Sequence, residues 1–205
     1  MTEPRVVIGV PMTLDMFIDA RVSRWCEREV NFGINWMVDM ICGGSAARNK
    51  NFIVKKALDA DYTHIFFLNN DTFPSPNVIN KLIAHDKDVV AGITPGFCNR
   101  FFWMGQIEKD KVLEFRECPK ELTRGKRAGG PGMLVKRKVF EKVEFPWFDF
   151  VQIEPGVEMS EDYYFSDKAV ESGFEVWIDP NVVINHNHHG VDLLDMMNGA
   201  IKCQN

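Results

Sequence analysis

The stretch Ile65-Phe66-Phe67-Leu68-Asn69-Asn70-Asp71-Thr72-Phe73 decides how the chain is read. Four large apolar residues run straight into three small polar ones. The apolar run is too short for a helix and has no polar side, so it predicts a buried strand covered on both faces. The polar triplet then falls at the carboxyl end of that strand, the edge at which open α/β sheets bind ligands. Asn69, Asn70 and Asp71 there offer oxygen atoms to a hard cation or to hydroxyl groups.

The flanking sequence extends this pattern. Upstream, residues 5–10 are a β-branched run closed by Pro11, a first strand. Residues 17–32 carry Ile18, Val22, Trp25, Cys26 and Val30 on one stripe, as a helix would. Residues 34–41 read as a second strand ending at Gly43-Gly44, and Ser45 can cap a helix over 46–60. Downstream, Ser75-Pro76 reads as an N-cap followed by proline in the first turn of a helix bearing Val78, Ile79, Leu82 and Ile83. Residues 88–93 form a further strand. The order β-α-β-α-β-α-β predicts an α/β fold, a parallel sheet with helices on its faces.

After Pro95 the rhythm changes. Residues 111–117 and 133–135 read as strands of a different, partly antiparallel region. Residues 124–132 read as a basic, glycine-rich loop, 137–142 as a short helix and 145–150 as an aromatic loop. Ser160 caps a helix stopped by Gly173. Residues 175–178 form a strand, Asp179-Pro180 a turn, and 182–184 lead into His186-Asn187-His188-His189. A terminal helix over 191–202 puts Leu193, Leu194, Met197 and Ile201 on one side, suited to core, to a homodimer contact or to ordering over a ligand.

The totals bound the function. At 205 residues the chain is one domain with a full core. A net charge of −5 argues against a general binder of nucleic acid or anionic membrane. The cysteines at 26, 42, 98, 118 and 203 are odd in number and lack metal-type spacing, which predicts reduced thiols and a cytoplasmic location. No signal peptide and no membrane span are expected.

Several groups could do chemistry, each beside a plainer reading. Asp71, with Thr72 and Ser75, suits ordinary turn and capping bonds. It equally suits Mg²⁺ or Mn²⁺, which take one or two protein carboxylates and complete the shell with water and phosphate. The amide of Asn69 can bond a sugar hydroxyl. Glu161 and Asp162 fit the positive end of a helix dipole. Asp162 also precedes Phe165 and Ala169 by three and seven residues, so it faces inward, as a general base with a raised pKa would. Three histidines in 186–189 look more like a metal ligand with neighbours than a polar tail. Zinc on His186, His188 and Asp71 is disfavoured because no HExxH-type spacing exists. Arg48 and Asn49 open a helix, as solvated residues or as phosphate or base contacts. Gly129-Gly130-Pro131-Gly132 has neither dinucleotide nor Walker spacing, yet lets the backbone approach a ligand. Phe97, Phe101, Phe102, Trp103 and Trp147 suit core or a carbohydrate-stacking cleft.

Four stretches together resemble the GT-A-fold glycosyltransferases, particularly the family 2 type: Ala47-Arg48-Asn49 opening a helix; FFLNND with the helix from Pro76; GGPGMLVKRKVF at 129–140; and SEDYYFSDKAVESGFEVWIDPNVVINH at 160–186. The resemblance implies a Rossmann-like, mostly parallel central sheet flanked by helices, with a smaller partly antiparallel acceptor-side region. Residues 1–94 would be the nucleotide-binding half, 95–190 the acceptor and metal half, and 191–205 a C-terminal helix. The Asp-X-Asp motif of the family falls on Asn69-Asn70-Asp71, so Asp71 would hold Mn²⁺ or Mg²⁺ and Asn69 would contact the ribose. Asp162 of the Glu161-Asp162 pair would be the base of an inverting reaction, and His186 a second metal ligand. Pro11, Met12 and Thr13 would contact the base of the nucleotide and Arg48 the nucleotide, while Gly130 and Trp147 would border sugar and acceptor. The implied activity moves a sugar from a UDP- or GDP-sugar to a hydroxyl of a saccharide, protein or small molecule, in a soluble enzyme. A sugar nucleotidyltransferase would want glycine and a cation directly after the first strand, where Pro11-Met12-Thr13-Leu14-Asp15 stands. A non-catalytic nucleotide- or carbohydrate-binding module is favoured by Asn69 and opposed by Asp162.

Overall fold

The computed structural model describes residues 3–12, 17–32, 37–41, 43–108, 111, 113–114, 117–188 and 190–202; side chains of 31–32, 37–41 and 200–202 are not part of that description. The chain runs β1 (Val6–Pro11), α1 (Ala20–Phe32), β2 (Met37–Ile41), α2 (Ala46–Asp59), β3 (His64–Phe67), β4 (Thr72–Pro74), α3 (Val78–Ala84) and β5 (Val89–Ile93). It continues with β6 (Pro95–Cys98), β7 (Arg100–Trp103), β8 (Gly105–Gln106), β9 (Leu113–Glu114), β10 (Thr123–Gly125), β11 (Arg127–Ala128), β12 (Met133–Lys136) and α4 (Arg137–Lys142). The last elements are β13 (Val151–Glu154), β14 (Val157–Met159), α5 (Glu161–Glu171), β15 (Val176–His188), β16 (Val191–Asp192) and α6 (Leu193–Lys202).

The β3 run is buried on both sides, as its composition requires. Ile65 and Phe67 point into one core with Val7, Val89, Ala91, Met133 and Val135, beneath Ile53, Val54 and Ala57 of α2 and Phe140, Phe165 and Ala169 of α4 and α5. Phe66 and Leu68 point into the other, with Ile8, Val90 and Leu134, beneath Val22 and Trp25 of α1 and Ile79 and Leu82 of α3. Side chains alternate across a strand, so two helical layers need every residue of such a strand to be apolar.

The central sheet is mixed, with both parallel and antiparallel pairs. Its strand order among the described residues is β10-β15-β5-β12-β3-β1-β2. β1 is parallel to β2 and β3, and β5 is parallel to β15. β12, however, lies antiparallel between β3 and β5. The run 133–135 therefore belongs to the centre of the sheet rather than to an outlying region. The first and second halves of the chain share one sheet.

Local details differ as well. α3 begins at Val78 with Asn77 in the left-handed region (φ 65°) before it, so Ser75-Pro76 lies outside the helix; the Ser75 carbonyl accepts from Trp25 Nε1 instead. The glycine-rich stretch 124–132 contains parts of β10 and β11. Of residues 111–117, Leu113–Glu114 is strand, while 112, 115 and 116 lie outside the described residues. β13 and β14 form a hairpin that the sequence pattern did not announce. Asp179-Pro180 makes no chain reversal: β15 runs through it, with an irregularity between Ile178 and Val183. There Gly92 lets the backbone of β15 come close, since a Cβ at 92 would overlap the Val182 carbonyl. The terminal helix α6 packs Met197 into a third core with Ile93, Trp103 and Leu113, with Leu194 against it. No helix among the described residues is long and apolar enough to cross a membrane.

His64 opens β3 opposite Lys136 of β12. Burial, reinforced by the Lys136 ammonium, lowers its pKa from 6.5 to about 4. The unfolded chain takes up this proton as pH falls through 6.5, the folded chain only near 4, so folding stability is lost across that window. Denaturant titrations should show the stability of the wild type falling relative to His64→Gln as pH drops through this range. Parallel curves for the two proteins would contradict it.

Candidate functional site

The site gathers where β3 ends. The antiparallel course of β12 puts Met133 opposite Phe67 and brings the Gly132 N–H to the Phe67 carbonyl at 2.8 Å. The glycine loop before β12 is thus delivered to the edge that carries Asn69, Asn70 and Asp71. β15 reaches the same edge from the other side, pairing His186 with Thr72 and Asn185 with Phe73.

A line of contacts runs along this rim. Gly130 N–H donates to Asp162 Oδ2 at 2.8 Å. The carbonyl of the next residue, Pro131, accepts from Thr94 Oγ1 at 3.2 Å. The Pro95 carbonyl lies 3.1 Å from His186 Nδ1, which must therefore carry the proton and donate. His186 Nε2 then lies 3.3 Å from Asp71 Oδ2. Asp162 and the pair Asp71 and His186, far apart in sequence, are joined through four rim residues, Gly130, Pro131, Thr94 and Pro95.

The triplet divides its labour. Asn69 closes a turn: its N–H donates to Thr72 Oγ1 at 3.0 Å and its carbonyl accepts from the same hydroxyl at 3.2 Å. Asn70 pins the segment before α1, with Nδ2 donating to the Phe17 carbonyl at 2.5 Å and its own carbonyl accepting from Asp19 N–H at 2.9 Å. Asp71 faces His186. Beside it stands Asn187, which sequence reasoning passed over as a spacer between histidines. Its N–H donates to the Asp71 carbonyl at 2.8 Å, and its Nδ2 donates to Asp19 Oδ2 at 2.7 Å. Asp19 is itself held well below the usual carboxylate range by Arg21. Asp71 Oδ1 and Asn187 Oδ1 are shielded from solvent and accept no hydrogen bond.

Asp71 Oδ1 and Asn187 Oδ1, shielded acceptor oxygens without a donor, are of the kind a hard cation takes. Asp71 and Asn187 both line an open cavity of about 520 Å³. Among the described residues no group of three His, Cys, Asp or Glu side chains is placed to hold a metal ion.

Asp162 and Glu161 open α5, and both reach one lysine. Lys50 Nζ lies 2.9 Å from Glu161 Oε1 and also bonds Asp162 Oδ1. The Lys50 side chain is 1% exposed, that of Asp162 13%. Burial pushes the Asp162 carboxyl above the usual range, the Lys50 ammonium opposes this, and Glu161 adds to it. For Lys50, burial works against the charge and the two carboxylates outweigh it. Lys50 was missed by sequence reasoning although its signal was legible: position 50 falls on the same α2 face as Ala47, Ile53, Val54 and Ala57, and a cation on an apolar stripe needs a buried partner.

Other expected residues lie apart from this rim. Arg48 donates to the Gly43 carbonyl at 2.7 Å, and together with Trp147 it lines a second cavity of about 420 Å³ between α2 and the aromatic segment. Trp147 turns its Nε1 inward to the Phe140 and Val143 carbonyls, at 3.0 and 2.9 Å. Asn51 Oδ1 accepts from the N–H groups of Trp147 and Phe148 and fixes that wall. Pro11 ends β1, and the Met12 carbonyl accepts from Asn49 Nδ2 at 2.7 Å. Thr13 lies outside the described residues.

This architecture has solved counterparts. The crystal structure of A197 from STIV matches with a TM-score of 0.66 at 16% identity, covering 91% of this chain and 87% of that one. The crystal structure of GalNAc-T7 with UDP, GalNAc and Mn²⁺ matches with a TM-score of 0.55 at 13% identity, covering 92% of this chain and 45% of that one. The fold is glycosyltransferase-like. No protein-family model and no curated protein sequence matches the chain.

Gly130 is required here for a reason other than ligand approach: a Cβ at 130 would run into the Asp162 carboxylate. Gly130→Ala should cost about 1–3 kcal/mol of stability, measured by denaturant unfolding. Adding Asp162→Ala should recover part of that loss, because the two changes meet at one contact. Strictly additive losses would show that the contact is not the cause.

Proposed function

We propose that the protein is a metal-dependent glycosyltransferase that moves a sugar from a nucleotide-diphosphate sugar to a hydroxyl acceptor with inversion. The observation that carries the reading is the rim from Asp71 and His186 through Pro95, Thr94, Pro131 and Gly130 to Asp162, set in a glycosyltransferase-like fold. Asp71 and His186 would hold Mn²⁺ or Mg²⁺. Bound there, the ion would neutralise charge developing on the departing diphosphate. Asn69, Asn70, Pro11, Met12 and Thr13 are the expected nucleotide contacts, and UDP is the first nucleotide to try because the GalNAc-T7 structure contains it. Arg48 and Trp147 would serve the substrate-binding periphery.

The chemistry asked of the chain itself is one proton transfer. The acceptor hydroxyl gives its proton to a free lone pair of Asp162, the acceptor oxygen bonds the anomeric carbon, and the bond from that carbon to the diphosphate breaks with its electron pair. Each Asp162 oxygen has one lone pair engaged, by Lys50 or by Gly130, and one remaining. That double engagement is also what favours a second reading, a nucleotide-sugar-binding module without turnover, since a paired carboxylate is a weaker base.

The two readings separate by experiment. UDP, GDP, CDP and dTDP are screened by thermal shift with and without Mn²⁺, and the sugar form of any nucleotide that binds is assayed for nucleotide release with hydroxyl acceptors. A metal-dependent shift that disappears in Asp71→Ala is expected. Asp162→Asn should keep the shift while turnover drops by about 10²–10⁴-fold, the usual worth of a general base. Binding without turnover in the wild type would select the module, and no metal-dependent shift with any nucleotide would remove both readings.

A further inference from the structure

We propose that Lys50 is the positioning residue of this site: its buried ammonium, shared between Glu161 and Asp162, fixes the direction and the charge of the Asp162 carboxylate. The proposal rests on Asp162 being the base of the transferase reading, and it assigns work to two groups that reading leaves idle, Lys50 and Glu161.

Three parts of the fold meet at this cluster. Lys50 comes from the inner face of α2, both acids from the first turn of α5, and the Gly130 N–H from the loop before β12. The Phe148 ring, with its centroid 5.4 Å from Lys50 Nζ, lies between the ammonium and the cavity beside α2. Tyr163 follows Asp162 on α5, and Arg127 lies over its ring at 5.6 Å. Arg127 is engaged by Asp167 through two bonds of 2.8 and 2.6 Å, so its charge is met locally. Lys50 is therefore the cation in direct contact with Asp162.

Sharing one cation between two acids has a chemical consequence. With both acids ionised the cluster carries one net negative charge. When Asp162 accepts a proton from an acceptor hydroxyl, Glu161 remains ionised and still pairs with Lys50. The cluster passes from −1 to neutral, and no buried ammonium is left without a counter-charge, a state that burial strongly disfavours. With a single acid, protonating the base would strand the lysine. Glu161 thus keeps Lys50 paired at the moment Asp162 is neutralised, and Lys50 keeps Asp162 ionised before that moment despite its burial.

The test reads Asp162 directly. Carboxyl ¹³C NMR titrations of the full chain with labelled aspartate, assigned through Asp162→Asn, compare the wild type with Lys50→Met, Lys50→Arg and Glu161→Gln. The Asp162 midpoint should rise by about one pH unit or more in Lys50→Met, from loss of an adjacent opposite charge, and fall in Glu161→Gln, from loss of a like charge. Lys50→Arg should stay near the wild type. If Lys50→Met does not fold, Lys50→Met/Glu161→Gln removes one charge of each sign and should still titrate above the wild type. A midpoint unmoved in the folded Lys50 variant would overturn the proposal whatever the activity. Midpoints that move as stated in a protein that transfers no sugar would sink the transferase reading and leave the role of Lys50 standing.

Discussion

The site depends on β12 being slotted between β3 and β5 in the opposite direction. In a purely parallel sheet every strand would arrive at the ligand edge by its carboxyl end, and the edge would be built from loops that follow strands. An antiparallel strand arrives by its amino end. The loop before β12 therefore lies beside the loop after β3, and the Gly130 N–H and Pro131 carbonyl become available to Asp162 and Thr94. The strand also ties the two helical layers together, since Met133 and Val135 enter the α2–α4–α5 core while Leu134 enters the α1–α3 core.

What the sequence could reveal follows from how local each cause is. The two-sided burial of β3 is written in four consecutive apolar residues, and the stripe of α2 and the cap at Ser45, whose Oγ accepts from Arg48 N–H at 3.2 Å, are equally local. The place of β12 is not, because a three-residue apolar run has the same composition in the middle of a sheet or at its margin. Asp179-Pro180 misleads for a related reason. It has the composition of a turn, yet Asp179 is satisfied by Asn181 N–H at 2.8 Å and by His85 Nε2 at 2.7 Å, a partner from α3 that no local pattern announces. Ser75-Pro76 resembles a helix start, but the Ser75 carbonyl is committed to Trp25 and the helix opens later.

The candidate site was legible to a similar degree. Asp71 stands out because it follows a buried strand, Asp162 because it precedes Phe165 and Ala169 at helical spacing, and His186 because three histidines fall within four residues. Lys50 was overlooked because the search was for acids and ligands, whereas the informative anomaly was a cation on an apolar face. Asn187 was overlooked because an amide between histidines looks like spacing. What distinguishes it is Oδ1, a shielded oxygen with no donor, and that becomes visible only when the chain is folded.

On the proposed reading, the same feature bears on the missing acid at position 69. An aspartate there would have added a second negative charge next to Asp71. Asn69 instead spends its backbone on the Thr72 turn, and Asp71 supplies the one carboxylate of the described donor set. One carboxylate and one imidazole would leave a divalent cation with net positive charge, and Mg²⁺ or Mn²⁺ in such surroundings draws remaining ligands from water and phosphate. The missing charge would then come from the diphosphate of the donor. On that reading the cation and the nucleotide would bind the chain together, and the metal would belong to the substrate complex rather than be a resident of the protein.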